Sequence, residues 1–488
     1  MPSILQNKKI LIVVGVVVFL LLALIAVSAL SPKQKVAIPT TDTTPVSLTW
    51  WSFYDQSVYA DILADFQKLP GNQNVKITVV KQTYDNDYYK SFIADIASNA
   101  GPDIFSLRND DLASYKRYMT PINVFQGAVL ASYKNSFVPL VVRDTMFTDQ
   151  VYAVTSWVDN LQLYYNPNLL SQSGIALPAK TWSEVDKQLG VLNKRDTTGI
   201  NFIRSAISLG TGGQSKDGRG GNIDHFTDII PTLIFQNGGQ LYDYQKNTSI
   251  FGQTKDTTDM SGGSTTNQTF DNTTQDNNPT YKALKFYKDF GDVDTSRYSW
   301  NNSSRDNVDN FVDGKLAYII NYSSFKNTLS ARNSRFQYGI SELPQLDLNY
   351  KKTYGYFFMD GINKQLATDV ENNPKDLTKL KKQQKAEEFL YFLSQKESQT
   401  KLAATLKMPA ARRDVIQEQL NGADNIRVFA AGSLYADNYY KPDVVRSEKI
   451  WSDLMYRVQY ENKPLPDSLN QAISEYKFIL QSGPKLRG

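Results

Sequence analysis

Val46-Ser47-Leu48-Thr49-Trp50-Trp51 is a β-favouring run in which Val46, Leu48 and Trp50 alternate with Ser47 and Thr49. Val58, Ile62, Phe66 and Leu69 then recur at helical spacing until Pro70-Gly71-Asn72 ends the helix. Val75, Ile77 and Val79 alternate again as a half-buried strand. Tyr88, Phe92 and Ile96 mark a second helix, ended near Gly101-Pro102, and Ile104-Phe105 opens a third strand. Strand, helix, strand, helix, strand is the order of an α/β domain with a parallel sheet.

The pattern recurs downstream. Leu161–Tyr165 reads as a strand, and Thr181-Trp182-Ser183-Glu184 is a capping box that opens a helix. Ile229–Gln236 is a helix closed by Asn237-Gly238-Gly239. Ala283, Phe286, Tyr287 and Phe290 form a helical stripe, Leu316–Asn321 a strand, and Ala386, Phe389, Leu390 and Leu393 an amphipathic helix. Gln245–Pro279 is different: Thr, Asn, Asp, Gly, Ser and Gln dominate it, which predicts a solvated surface excursion. Its Asn and Asp residues lack EF-hand spacing, so no calcium loop is expected.

Upstream of the body, Ile10–Leu30 carries no charge and follows Lys8-Lys9. A helix of about 20 apolar residues spans the roughly 30 Å hydrocarbon core. The lysines keep residues 1–9 in the cytoplasm and send everything after Leu30 outside. The expectation is a single-pass anchor over 10–30, or a signal helix cut near Val27-Ser28-Ala29, followed by a proline-bearing linker over 31–45.

Bulk composition excludes several chemistries. The chain has 488 residues, 41% of them hydrophobic and 21% charged, which suits a two-lobed body with a sizeable core. A net charge of +4 without a concentrated basic stripe argues against nucleic acid as a partner. The absence of cysteine removes disulfides, thiolate metal sites and cysteine nucleophiles. A single histidine, His225, removes multi-histidine zinc sites, so neither metal nor cofactor is expected. The 29 tyrosines and 24 phenylalanines offer flat apolar faces instead.

Six fragments carry a resemblance. They are Pro102-Asp103-Ile104-Phe105; Val151-Tyr152-Ala153-Val154 with Leu161–Asn166; Leu177–Glu184; Gln236–Leu241; Phe311–Ala317; and Lys385–Leu390 with Pro409-Ala410. In this order the chain resembles the family 1 extracellular solute-binding proteins of ABC transporters, the maltose-binding-like group. The resemblance covers 46–488. It implies a two-lobed α/β fold of the periplasmic-binding-protein type (type II), each lobe a mainly parallel sheet flanked by helices. The first lobe would comprise 46–156 plus 358–408, and the second 157–357 plus 409–488. It further implies a monomeric receptor that closes over a small solute, expected to be a sugar or oligosaccharide, and delivers it to ABC permease subunits without chemistry. Many relatives carry a lipid-modified cysteine that this chain lacks, a tethering role Ile10–Leu30 would fill. Many also have proline where Thr155 stands.

Ligands of such folds meet loops at the carboxyl ends of strands. With the resemblance, that rule selects Phe53, Tyr54 and Asp55 after the first strand, Arg108 and Asn109 after the third, and Trp157 and Asp159 at the hinge. From the second lobe it selects Asn222, Tyr322, Phe325, Tyr354, Tyr356 and Trp451. Aromatic rings would cover the C–H face of a pyranose while carboxylates and amides pair with its hydroxyls. Trp182 is expected in the core and Asp103 as a structural cap. Three rival readings stand beside this one. A membrane-anchored sensor or adhesion protein would keep the fold without a transporter. An exported carbohydrate-acting enzyme would need paired carboxylates, for which no motif appears. A ferric-iron receptor would use Tyr439-Tyr440, a pair that recurs at Tyr88-Tyr89 and Tyr164-Tyr165.

Overall fold

The computed structural model describes residues 45–212, 222–253, 277–422 and 424–484. The apolar Ile10–Leu30 run and residues 254–276 of the polar stretch lie outside the described residues. Among the described residues no helix is long and apolar enough to cross a membrane.

Alternation decides the first strand. Along Val46–Ser52 the side chains of Val46, Leu48 and Trp50 are buried while Ser47 is exposed, as a period of two requires. Val75–Lys81 and Ile104–Arg108 flank this strand in parallel, and the helices Ala60–Lys68 and Asn86–Ala97 make the crossovers. Asp85 caps the second helix by accepting from the backbone N–H groups of Asp87 and Tyr88. Phe358–Asn363 then lies antiparallel to Ile104–Arg108, and Met119–Thr120 and Ala153–Val154 pair antiparallel with it. Trp50, Phe66 and Phe389 meet edge-on in the core beneath this sheet, at centroid distances of 5.5 and 5.2 Å. Burying each such ring stabilises the fold by about 1.5–3 kcal/mol.

A second sheet runs in the order Lys194–Arg195, Phe202–Ile207, Leu316–Asn321, Gln162–Tyr165, Gly339–Ser341. Phe202–Ile207 and Leu316–Asn321 are parallel; the other pairings are antiparallel. Both sheets are therefore mixed, not mainly parallel as expected. The cause is the hinge: strands that enter a lobe from it, Gln162–Tyr165 and Phe358–Asn363, run against those heading toward it. Thr181 opens the helix Trp182–Leu192 as its sequence predicts, its hydroxyl accepting from Glu184 N at 3.2 Å, while Glu184 accepts from Lys180 N at 2.6 Å.

The buried apolar residues form two separate cores. One gathers Val46–Val158 with Phe357–Ile416, the other Leu161–Tyr354 with Tyr439–Ile479. The segments joining them are zipped together. Val158 N donates to Pro409 O at 3.0 Å, Trp157 bridges Ala410, and Asp159-Asn160 pair with Gly355-Tyr356. The expected passage into the second lobe at Pro409 is displaced. Ala410, Ala411, Val415 and Ile416 still pack in the first core, because Arg413–Leu420 docks on that side. The chain changes side through the helix Ile426–Ser433, where Phe429 faces the second core and Ala430 the first. Gly432 is required there: a Cβ would collide with the side chains of Asn160 and Gln162.

The polar stretch is anchored at its start. Tyr242-Asp243 and Thr248-Ser249 form a hairpin, and Phe251 is buried against Trp451 and Tyr476.

Candidate ligand-binding site

The loops at the carboxyl ends of the first sheet converge where the two cores meet. After Ser52 the chain turns sharply, held by Tyr54 N donating to Ser52 Oγ at 3.2 Å. Phe53 then packs against Phe358, Tyr88 and Tyr84, at 4.6, 5.0 and 5.4 Å between ring centres. Arg108 ends its strand with its guanidinium 4.7 Å from the centre of the Tyr356 ring and Nη2 3.0 Å from Asp110 Oδ2. Burial alone would lower the pKa of Arg108, but Asp110, Tyr84, Asp228 and Glu448 hold it firmly charged. Asp111 accepts from Tyr84 Oη at 2.9 Å and Tyr89 Oη at 2.6 Å, and burial pushes its carboxyl up to about 6.

The hinge contributes a group of rings. Trp157 stands edge-on to Tyr356 and Phe358, at 5.7 and 5.4 Å, and hydrogen bonds with Tyr54. Tyr356 meets Tyr322 edge-on at 4.8 Å. Asp159 is fully buried beneath them and accepts from Ser323 N at 2.8 Å, Asn160 N at 2.9 Å and Ser324 N at 3.3 Å. Burial raises its pKa, and those three donors oppose the rise. From the second lobe Tyr322 Oη donates to Asp228 Oδ2 at 2.7 Å. Thr155 spans the junction: its hydroxyl lies 2.6 Å from the carbonyl of Phe358.

The structure thus brings Phe53, Tyr54, Arg108, Trp157, Asp159, Tyr322 and Tyr356 to one junction. Other candidates lie elsewhere. Asp55 faces solvent in an ion pair with Lys81 at 2.7 Å. Asn222 ties loops of the second lobe together through Asn301 O, Ser304 O and Trp300 Nε1. Phe325 packs on Tyr164 and Phe311 inside the second core. Trp451 is 1% exposed there and donates to Tyr439 Oη at 2.9 Å. Its helix turns the indole inward, so it is a core residue and not a ligand platform. Asn109 holds the hinge, donating to Asp144 at 3.0 Å and accepting from Phe357 N at 3.0 Å. Tyr354 is wholly buried against Lys441, and its hydroxyl has no hydrogen-bond partner among the described residues.

Sequence reasoning passed over Tyr84 and Lys441. Tyr84 follows the end of Val75–Lys81, so the strand-end rule applied to the second strand would have selected it. No periodicity marks Lys441, a wholly buried lysine in a loop.

Three buried polar atoms at this junction lack a hydrogen-bond partner among the described residues: Arg108 Nε, Asp110 Oδ1 and Asp228 Oδ1. An unpaired buried donor or acceptor costs about 1–3 kcal/mol. A groove of about 650 Å³ crosses from Tyr84, Tyr89, Asp111 and Tyr115 on the first lobe to Pro442, Val445 and Arg446 on the second. Among the described residues no cluster of three or more histidines and carboxylates could hold a metal ion.

Two sheets, two cores and a zipped hinge with a polar, aromatic junction define a two-lobed solute-binding fold. The chain belongs to the bacterial extracellular solute-binding proteins, whose family model matches residues 61–426. Membership puts the body on the extracytoplasmic side. Among solved structures, the chain is similar to the cyclic α-maltosyl-1,6-maltose-binding protein of Arthrobacter globiformis, with 14% identity, a TM-score of 0.67, and 90% of this chain and 100% of that one covered. It is similar to the sugar-binding protein MalE of Xanthomonas citri, with 16% identity, a TM-score of 0.63, and 89% and 98% covered. The MalE of Listeria monocytogenes in complex with maltose aligns at 15% identity and a TM-score of 0.63, over 91% and 99%. At these identities the likeness is one of fold. No curated protein matches the sequence.

Proposed function

We propose that this chain is the receptor of an ABC-type importer, capturing a carbohydrate between its lobes and handing it unaltered to membrane permease subunits. The observation that carries this reading is the junction itself. Tyr54, Trp157, Tyr322 and Tyr356 gather there beside atoms of Arg108 and Asp110 that have no hydrogen-bond partner among the described residues. Aromatic rings suit the C–H face of a pyranose; a guanidinium and carboxylates suit its hydroxyl rim. The structurally similar proteins whose names specify maltose-type sugars support the same ligand class.

In this reading Phe53, Tyr54, Tyr84, Arg108, Asp110, Trp157, Asp159, Asp228, Tyr322 and Tyr356 surround the guest. The guest meets one lobe first and stabilises the closed form through contacts that exist only when the lobes meet. Residues 10–30 anchor the body in the membrane as a single span, and the receptor acts as a monomer without cofactor or metal. The enzyme reading is not favoured, since the junction's carboxylates are engaged as hydrogen-bond acceptors and ion-pair partners.

A thermal-shift screen of the full chain against mono- and oligosaccharides tests the ligand class. A sugar at about a hundredfold its Kd stabilises the folded state by about 2.7 kcal/mol and raises the melting temperature. A panel of sugars that all leave melting unmoved, while a peptide or phosphate ester raises it, would overturn the carbohydrate reading.

A further inference from the structure

Lys441 is fully buried, yet its ammonium reaches three carboxylates. Nζ lies 3.0 Å from Glu448 and 3.9 Å from Asp228, both in the second lobe, and 3.2 Å from Asp110 Oδ2 in the first. The Tyr354 and Tyr439 rings flank it, each 5.4 Å from Nζ. Asp110 is held from its own side by Arg108 at 3.0 Å. Lys441 therefore belongs to one lobe and is neutralised partly by the other. Separating the lobes would take the Lys441 ammonium away from Asp110 and leave that carboxylate to the first-lobe guanidiniums of Arg108 and Arg143.

A second cation repeats the arrangement from the opposite direction. Arg143, of the first lobe, pairs with Asp437 at 2.6 Å and with Asn438, and its guanidinium lies 4.4 Å from the centre of the Tyr244 ring. Lys352 joins Asp437 at 3.0 Å, and Asp144 accepts from Asn438 at 2.8 Å. All these partners are groups of the protein itself, so the attachments require no guest.

We propose that Lys441 is an interlobe latch: its ion pair with Asp110, backed by Arg143 and Asp437, holds the lobes together whether or not a ligand is present. A buried ion pair is costly to break by removing one partner, because the other charge is left uncompensated. Opening restores hydration to both, so loss of either partner shifts the balance toward the open form. On the reading of the chain as a solute receptor, the latch sets how often the junction is accessible, and therefore how fast a guest enters.

The chain has no cysteine, so paired labels can be placed cleanly. Spin labels at K68C on the first lobe and L177C on the second, both on exposed side chains, report lobe separation by pulsed dipolar spectroscopy of the full chain in detergent without added solute. The latch predicts one short distance in the otherwise unaltered chain. In Lys441→Met and in Asp110→Asn it predicts a longer population, with the open-to-closed ratio raised roughly tenfold or more. Lys449→Met, which removes an exposed pair with Asp453 within one helix, should leave the distances unchanged. Circular dichroism melting separates opening from unfolding, and if Lys441→Met does not fold, Asp110→Asn carries the test. Unchanged distances in the folded latch variants, or an equal shift in Lys449→Met, would overturn the latch. Because no solute is added, that failure is distinct from failure of the carbohydrate reading, which the melting screen reports.

Discussion

The guanidinium of Arg108, at the end of a first-lobe strand, lies 4.7 Å from the centre of the Tyr356 ring at the end of a hinge strand. One residue thus stacks on the hinge, pairs with Asp110 through Nη2, and keeps Nε unpaired toward the junction. Lysine can supply the charge but neither the planar stack nor the fork. Arg108→Lys is expected to weaken ligand binding about tenfold in titration calorimetry. Its melting temperature should change little, since the exchange keeps the charge that Asp110 requires.

Aromatic side chains divide into platform and core, and truncation distinguishes them. Tyr54 is half-buried at the junction, whereas Trp451 is buried among Phe251, Tyr439 and Leu454. Tyr54→Ala should lower affinity by about 1–2 kcal/mol with a small effect on melting. Trp451→Ala should destabilise the protein by about 3–5 kcal/mol in denaturant unfolding, through the cavity it leaves in the second core.

Asp360 is buried in the first lobe and accepts from Trp50 Nε1 at 3.0 Å and Ser106 Oγ at 2.5 Å. Burial pushes its carboxyl up to about 7, opposed by those two hydrogen bonds. The folded state therefore holds this proton more tightly than the unfolded chain, whose Asp titrates near 3.8. Its contribution to stability is complete below the unfolded pKa and declines as pH rises through about 7. Asp360→Asn, which carries no charge, should prove more stable than the parent in melting at pH 8 by roughly 2–4 kcal/mol, less so at pH 5, and nearly level with it only near pH 3.

Asp159 binds the hinge to the second lobe through three backbone N–H donors. Asn offers one acceptor oxygen in place of two and turns an N–H₂ toward donors. Asp159→Asn should cost about 1–3 kcal/mol in denaturant unfolding and also lower ligand affinity. An unchanged unfolding midpoint would contradict the anchoring role.

Local chemistry made much of the scaffold readable. The alternation of Val46, Leu48 and Trp50, the Thr181–Glu184 cap and the Leu316–Asn321 run each specify an element from a few adjacent residues. Sheet direction was not readable, because the antiparallel placement of Phe358–Asn363 depends on where the chain re-enters the lobe. Site residues divide the same way. Phe53, Tyr54 and Arg108 lie at or just after strand ends, a position that the strand-end rule and the resemblance both select. Trp451 and Phe325 lie on helices, where rotation about the axis decides between core and gap, and the large cores won. Lys441 was invisible because its partners Asp110 and Asp228 are distant in sequence and meet only across the lobes.

The central claim is that a sugar is gripped by both halves of the molecule at once. Titration calorimetry of the full chain against linear and cyclic malto-oligosaccharides, repeated with Tyr54→Ala from the first lobe and Tyr322→Phe from the second, tests it most directly. The account predicts saturable one-to-one binding that each substitution weakens severalfold or more. Affinity that ignores either substitution, or the absence of heat with every sugar, would contradict it.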